Sequence, residues 1–309
     1  METKLTQREV TRRTVSADGL SGVICIPARS PSSAVVVLGG SDGGMKLEIA
    51  ETLARQGIAA FAFDYWPAAS APLSAFPIER IEHACRWLLD QPEVIGEQVG
   101  LMGQSKGAEL ALVAATQFPG LIGPVIAVAP SSVVWYGIDQ TKRPPMLTES
   151  SWSYRGIPLP YVSMSQVMPT MSDRGVALRP TFEDGLGDLE AVGLAAIAVE
   201  LATGPILLLS GGDDQMWPAA RMSRMVVDRL AANGRAAEVT HFNYEKAGHS
   251  LLVSAPTTAS DPNAALGMNF DLGGSDNDNA EAREDAALRI TAFFGAHLKR
   301  QIAQRLPSS

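Results

Sequence analysis

Basic residues and cysteine are both scarce in this sequence, and each scarcity excludes something. Its 309 residues include two cysteines, Cys25 and Cys85. That is too few for a fold stapled by disulfides. Cys25 sits in an apolar, strand-like run and Cys85 in a helix-like one, so both read as buried free thiols. Lys and Arg total 25 against 33 Asp and Glu, a formal net charge of -8. No basic cluster offsets that balance, so a nucleic-acid partner is not expected, because phosphate backbones demand clustered cations. No apolar run is long enough to span a bilayer, so no membrane partner is expected. The first residues, Met1 to Arg8, lack the apolar segment of a secretory signal. A cytoplasmic location is the simplest expectation. No Cys/His cluster has the spacing of metal ligands, and neither a metal nor a cofactor is expected.

Apolar residues make up 46% of the chain, enough for a large core. One domain is expected over 1–309, with no internal repeat. Apolar runs alternate with helical patterns, which predicts an α/β fold with a mostly parallel sheet between helices. Val10 to Pro27 reads as a hairpin turning at Ala17-Asp18-Gly19. Ala34 to Leu38, Ile58 to Phe63, Val99 to Met102, Pro124 to Val128, Pro205 to Leu209 and Glu238 to Phe242 read as strands. Helices are predicted over Lys46 to Gln56, Pro77 to Leu89, Ser105 to Gln117 and Ala280 to Ala303, with a further one starting near Trp217.

One stretch breaks the alternation. Residues 135–189 are rich in Pro, Ser and Met and have no clear period. A structureless loop of that length is improbable in a compact domain unless it serves function, so it reads as a lid or cap insertion. Trp135, Trp152, Tyr154 and Tyr161 within it are candidates to line a substrate pocket.

The most specific signal is Gly103-Gln104-Ser105-Lys106-Gly107, which follows a strand and opens a helix. This is the G-x-S-x-G turn of serine nucleophiles in the α/β-hydrolase fold, where the serine must project from a tight turn above the sheet. Ser105 then needs a base. His83 and His297 lie in helices and His241 in a strand, whereas His249 lies in a loop after the last strand, where the chain order Ser, acid, His puts it. The acid belongs at the end of the preceding strand. Asp213 and Asp214 both stand there, and the pattern Gly-x-x-Asp-x-x-x-Pro over Gly211 to Pro218 favours Asp214. The remaining aspartate is a candidate to cap the helix near Trp217. Oxyanion donors are expected from the Lys106 amide and from Gly40 or Ser41, in the loop Gly39-Gly40-Ser41-Asp42-Gly43-Gly44. That loop lacks the spacing of a nucleotide site. Glu109 and Glu200 are lone carboxylates in apolar surroundings and read as paired structural groups.

These pieces occur together in a known pattern. The sequence resembles the C-terminal catalytic domain of the acyl-CoA thioesterase / bile acid-CoA:amino acid N-acyltransferase family. The resemblance is carried by "GGSDGG" (39–44), "FPIER" (76–80), "GQSKGAELALVAAT" (103–116), "SSWSYRGIPLPY" (150–161), "GPILLLSGGDDQMWPA" (204–219), "AGHSLL" (247–252) and "NAEAREDA" (279–286). It implies a triad of Ser105, Asp214 or Asp213, and His249, acting on an acyl ester or thioester. Long members carry an N-terminal β-sandwich, and only about thirty residues precede the first core strand here, so no such domain is expected. Some amino-acid-conjugating members use a cysteine nucleophile; serine favours transfer to water, with transfer to an amine or alcohol as the alternative. A non-catalytic binding protein would have no need of all three groups. Basic side chains available for the phosphates of CoA are few: Lys46, Lys106, Arg143 and Arg155. Lys106 is also a candidate to be held by Glu109.

Overall fold

Ala34–Leu38 and Ala59–Phe63 contain no polar side chain, and every residue of both is buried. Strands of that composition need cover on both faces, which a sheet sandwiched between helices supplies. The computed structural model describes residues 9–68, 70–139, 141–142, 146–252 and 269–303. Its central sheet has eight strands: β1 (Val10–Ala17), β2 (Leu20–Pro27), β3 (Ala34–Leu38), β4 (Ala59–Phe63), β5 (Val99–Gln104), β6 (Ile122–Val128), β7 (Ile206–Gly211) and β8 (Val239–Tyr244). They lie in the order β1-β2-β4-β3-β5-β6-β7-β8. The first two pairings, β1 with β2 and β2 with β4, are antiparallel, and the rest are parallel.

Side chains alternate across the sheet and split the core in two. Val35 and Val37 of β3 face α1 (Leu47–Arg55) and the last helix, α7 (Asp276–Ala303). Ala34, Val36 and Leu38 face α2 (Glu79–Leu89) and α3 (Lys106–Gln117) on the other side. α7 presents Ala282, Ala286, Ile290, Phe294 and Leu298 to the sheet, a spacing of four that keeps one stripe inward. The two cysteines fall into different halves, Cys25 of β2 on the α1 side and Cys85 on the inner face of α2, and both are free. Among the described residues no helix is long and apolar enough to cross a membrane.

The strand order has a functional consequence. From β3 the chain moves outward to β4, then returns to place β5 on the opposite side of β3. In parallel sheets a ligand crevice opens at the carboxyl ends of strands where the order reverses. The glycine-rich loop after β3 and the turn after β5 flank that point.

The insertion between β6 and β7 is not structureless. It contains the hairpin Tyr136–Asp139 with Met146–Ser150 and the short strand Trp152–Tyr154, which pairs with Phe76–Pro77 and Ile157–Pro158. A second hairpin, Thr170–Ser172 with Gly175–Ala177, precedes α4 (Arg179–Gly185) and α5 (Leu189–Ala195). Arg143 lies outside the described residues. α6 (Ala219–Ala232) follows β7.

The cysteine placement can be checked directly. Burial pushes the Cys25 thiol up to about 11 and raises Cys85 further, so neither forms thiolate near neutral pH. Ellman's reagent is expected to leave both thiols of the folded protein unreacted and to titrate both in denaturant. Rapid reaction of one thiol without denaturant would contradict the packing.

Candidate active site

β5 runs into α3 through Ser105, whose φ of 55° and ψ of -123° lie outside the regions open to ordinary residues. Such a conformation costs about 1–3 kcal/mol and persists only where neighbours enforce it. Here the neighbours are backbone. A Cβ on Gly103 would fall 2.0 Å from the Gly107 carbonyl oxygen, and one on Gly107 would fall 2.1 Å from that of Gly39. Glycine on both sides is therefore a packing requirement. The Ser105 amide donates to the Val128 carbonyl at 2.9 Å, and the Ser105 carbonyl accepts from Ala108 at 2.9 Å and Glu109 at 3.1 Å. The Lys106 amide stands ahead of those bonds, where a helix offers no carbonyl partner. It is a donor free for an anion at the amino end of α3.

The loop after β3 comes up beside this turn. A Cβ on Gly40 would lie 3.5 Å from Ser105 Cβ, which places the Gly40 backbone against the serine. Gly43 N–H donates to the Gly40 carbonyl at 3.1 Å and closes the loop into a turn. Gly40 is buried and Ser41 half-buried.

Asp214 and His249 meet across the ends of β7 and β8. His249 Nδ1 lies 2.8 Å from Asp214 Oδ2, and both side chains are nearly inaccessible. A carboxylate at Nδ1 holds the proton on that nitrogen and leaves the Nε2 lone pair for a substrate proton. The other carboxylate oxygen accepts from the amides of Met216 at 2.9 Å and Trp217 at 3.1 Å. The sequence expectation that the spare aspartate caps the helix near Trp217 is not met: α6 begins at Ala219 with Pro218 at its N-cap and no side-chain cap, and the amides in the turn before it are taken by Asp214. Asp213 instead accepts from the Gly274 amide at 2.8 Å and Gln215 Nε2 at 2.7 Å. The His249 loop is tied down separately: its amide donates to the Leu272 carbonyl at 2.7 Å, and Asn279 Oδ1 accepts from Gly248 N–H at 2.8 Å. Gln104 reaches the same loop, its Nε2 standing 3.5 Å from the His249 carbonyl.

The aromatic residues of the insertion behave differently from expectation. Trp152 is fully buried, and its Nε1 donates to Glu109 Oε1 at 2.7 Å. Trp135 is also buried and donates to Ser131 Oγ at 2.9 Å. Both side chains fasten the insertion to the body and do not line an open acyl pocket. Tyr154 packs against Phe118, just past the carboxyl end of α3, and lines a cavity of about 720 Å³ there, a helix length away from Ser105. Tyr161 is half-buried against the α2/α3 core. The aromatic that reaches His249 is Trp217, edge-on at 6.1 Å between ring centres. Phe182 abuts Trp217 at 5.7 Å and stacks on Tyr136 at 5.9 Å, so an aromatic row runs from the imidazole into the insertion. Phe182 has no motif around it, and nothing in the sequence marks it out.

Glu200 is paired as expected, accepting from Arg229 Nε at 2.5 Å and Nη2 at 2.6 Å. His83 Nε2 contacts the Asp18 carbonyl and His241 Nε2 contacts Ser210 Oγ, both away from Ser105. Burial holds the His241 imidazole below its ordinary value. Because Trp152 is a core residue, Trp152→Ala is expected to destabilise the protein by about 3–5 kcal/mol, read as a lowered Tm or denaturant midpoint. A shift in acyl preference with no loss of stability would restore it to a pocket wall.

The fold and the chain's relatives agree. The profile described as "BAAT / Acyl-CoA thioester hydrolase C terminal" matches residues 76–300. Acyl-coenzyme A thioesterase 1 of Homo sapiens is 30% identical over 94% of this chain and 66% of its own length. Mouse peroxisomal succinyl-coenzyme A thioesterase is 26% identical over 88% of this chain and 62% of its own length. The chain thus spans a little under two thirds of these curated relatives. Among solved structures, dienelactone hydrolase from Anabaena variabilis superposes with a TM-score of 0.52 at 17% identity, covering 95% of this chain and all of that one. Acylaminoacyl peptidase from Pyrococcus horikoshii gives 0.57 at 15% identity over 96% of this chain and 43% of its own. Those likenesses establish the α/β-hydrolase fold, and the chain belongs to the BAAT / acyl-CoA thioester hydrolase C-terminal family.

Proposed function

We propose that the protein hydrolyses acyl thioesters or esters through an acyl-enzyme on Ser105. One observation carries the reading: a strained serine at the head of α3 shares the sheet's carboxyl edge with a buried His249–Asp214 pair. In this reading His249 Nε2 takes the Ser105 proton as Oγ attacks the carbonyl carbon. Charge on the carbonyl oxygen is met by the Lys106 amide and by the amide of Gly40 or Ser41. The imidazolium, stabilised by Asp214, returns the proton to the departing thiolate or alkoxide. Water, activated by the same imidazole, then frees the acid and regenerates Ser105.

Acyl-CoA heads the substrate classes because it names the activity of relatives. The basic groups argue that CoA itself contributes little. Lys106 is taken up by Glu109, Lys46 by Asp42 at 2.8 Å, and Arg155 lies over the Tyr154 ring beyond the far end of α3. Acyl-CoA is expected to exceed a simple thioester of the same acyl group by no more than about tenfold in kcat/KM. A thousandfold preference would mean a dedicated CoA site.

The role of Ser105 is tested by a fluorophosphonate probe, expected to label Ser105 alone. Ser105→Ala should stay folded and lose roughly a million-fold in kcat. Labelling elsewhere, or an active alanine variant, would overturn the reading. Asp214→Asn should lower kcat by up to about ten-thousand-fold through the wrong imidazole tautomer, and Asp213→Asn far less. The reverse ranking would move the acid to Asp213.

A further inference from the structure

The side chain that follows Ser105 is a buried lysine held inside the protein. Lys106 Nζ donates to both oxygens of Glu109, 2.9 Å each, one turn down α3. Glu109 is fully buried and its ion-pair partner nearly so. Oε1 also accepts from the Trp135 amide at 3.1 Å and Trp152 Nε1 at 2.7 Å. Lys106 Nζ stands 3.5 Å from the Tyr136 carbonyl oxygen and 5.4 Å from the Trp152 ring centre.

Helix energetics do not explain this pair. In the first turn Lys106 opposes the helix dipole while Glu109 suits it, so the two offset, and Lys ahead of Glu is the less favourable order along a helix. Desolvation opposes ionisation of both groups, holding Lys106 below and Glu109 above their ordinary values. Apolar replacements of buried ion pairs are often no less stable. What the pair does accomplish is geometric. The first residue of a helix is the one most given to fraying, and here its amide adjoins a strained serine. Tethering the Lys106 side chain to a carboxylate locked by two tryptophans holds that amide in place.

We propose that Lys106 and Glu109 form a positioning pair that fixes the Lys106 amide as an oxyanion donor and ties its alignment to the insertion. This rests on the reading of Ser105 as nucleophile. Neither side chain touches substrate; both act through the backbone of the turn.

The test uses Lys106→Met, Glu109→Gln and the double variant. In the double variant the glutamine side chain keeps an oxygen for Trp135 and Trp152, the methionine side chain fills the space of the lysine stem, and no lone charge is buried. It is expected to be more stable than either single variant and to match the parent in Tm. KM, and the affinity for an unreactive thioether analogue, should hold within about twofold. Loss of a whole oxyanion donor costs about a hundred- to a thousandfold, so a misaligned one is expected to lower kcat by about ten- to a hundredfold. A trifluoromethyl ketone of the same acyl chain, whose adduct places an oxyanion in the hole, should weaken by the same factor. If kcat and ketone affinity stay within about threefold of the parent, the pair is structural and the proposal fails while the hydrolase reading stands. If fluorophosphonate does not label Ser105 in the parent protein, the hydrolase reading fails and this one with it.

Discussion

A serine held at a positive φ is the constraint on which the neighbourhood depends. Left to itself the turn would relax, since the conformation costs energy and repays none locally. It is held from three sides. Gly103 and Gly107 allow backbones to touch where a methyl group would collide, and the Val128 carbonyl takes the Ser105 amide. The two side chains flanking Ser105 then reach outward in opposite directions, Gln104 to the His249 loop and Lys106 to Glu109. The strain is thus met by contacts from β3, β6 and the loop after β8, each distant in sequence. A side chain held this way needs little reorganisation when charge develops beside it.

Most of the sheet was legible in the sequence, and the reason is physical. β3 and β4 are short apolar runs closed by polar or glycine residues, and a buried parallel strand leaves few other patterns. α2 carries a one-sided apolar stripe, Ile81, Ala84, Cys85 and Leu88, so its buried face is legible along with its extent. The insertion was not legible. Its strands are two to five residues long, too short for a period of two to stand out, and they pair with partners as remote as Phe76. Tertiary context decides such segments, not local preference.

The site divides in the same way. Chain order and loop position pointed to Ser105 and His249 without any structure. Adjacent aspartates could be ranked only by a pattern, because neighbours in a turn point apart by geometry that the sequence does not record. The 2.8 Å contact to His249 is made by Asp214, whose second oxygen accepts from the amides of Met216 and Trp217. Trp152 shows the opposite failure. Aromatic content announces apolar surface but not its direction, and the indole N–H decided the matter: a buried donor must find an acceptor, and Glu109 is there. Phe182, which meets the imidazole's neighbour Trp217, carries no signal in its sequence neighbours.

The insertion reaches the helix behind Ser105 and the loops of Asp214 and His249, which bears on what it can do. Trp135 and Trp152 hold Glu109 beneath the Ser105 turn. Arg179 at the start of α4 donates to the carbonyls of Gly212 and Asp214, at 3.2 and 3.3 Å. Val176 and Arg174 bond to Asn269 and Gly274, on either side of the Leu272 carbonyl that anchors His249. Lifting the whole segment as a lid would strip two donors from a buried carboxylate, at about 1–3 kcal/mol for each orphaned group, and would unseat the Asp214 and His249 loops together. Rigid opening therefore competes with the Asp214–His249 contact. Motion that admits substrate has to be confined to parts of the insertion that carry none of these bonds, among them the exposed Met164 to Met168 stretch ahead of the second hairpin.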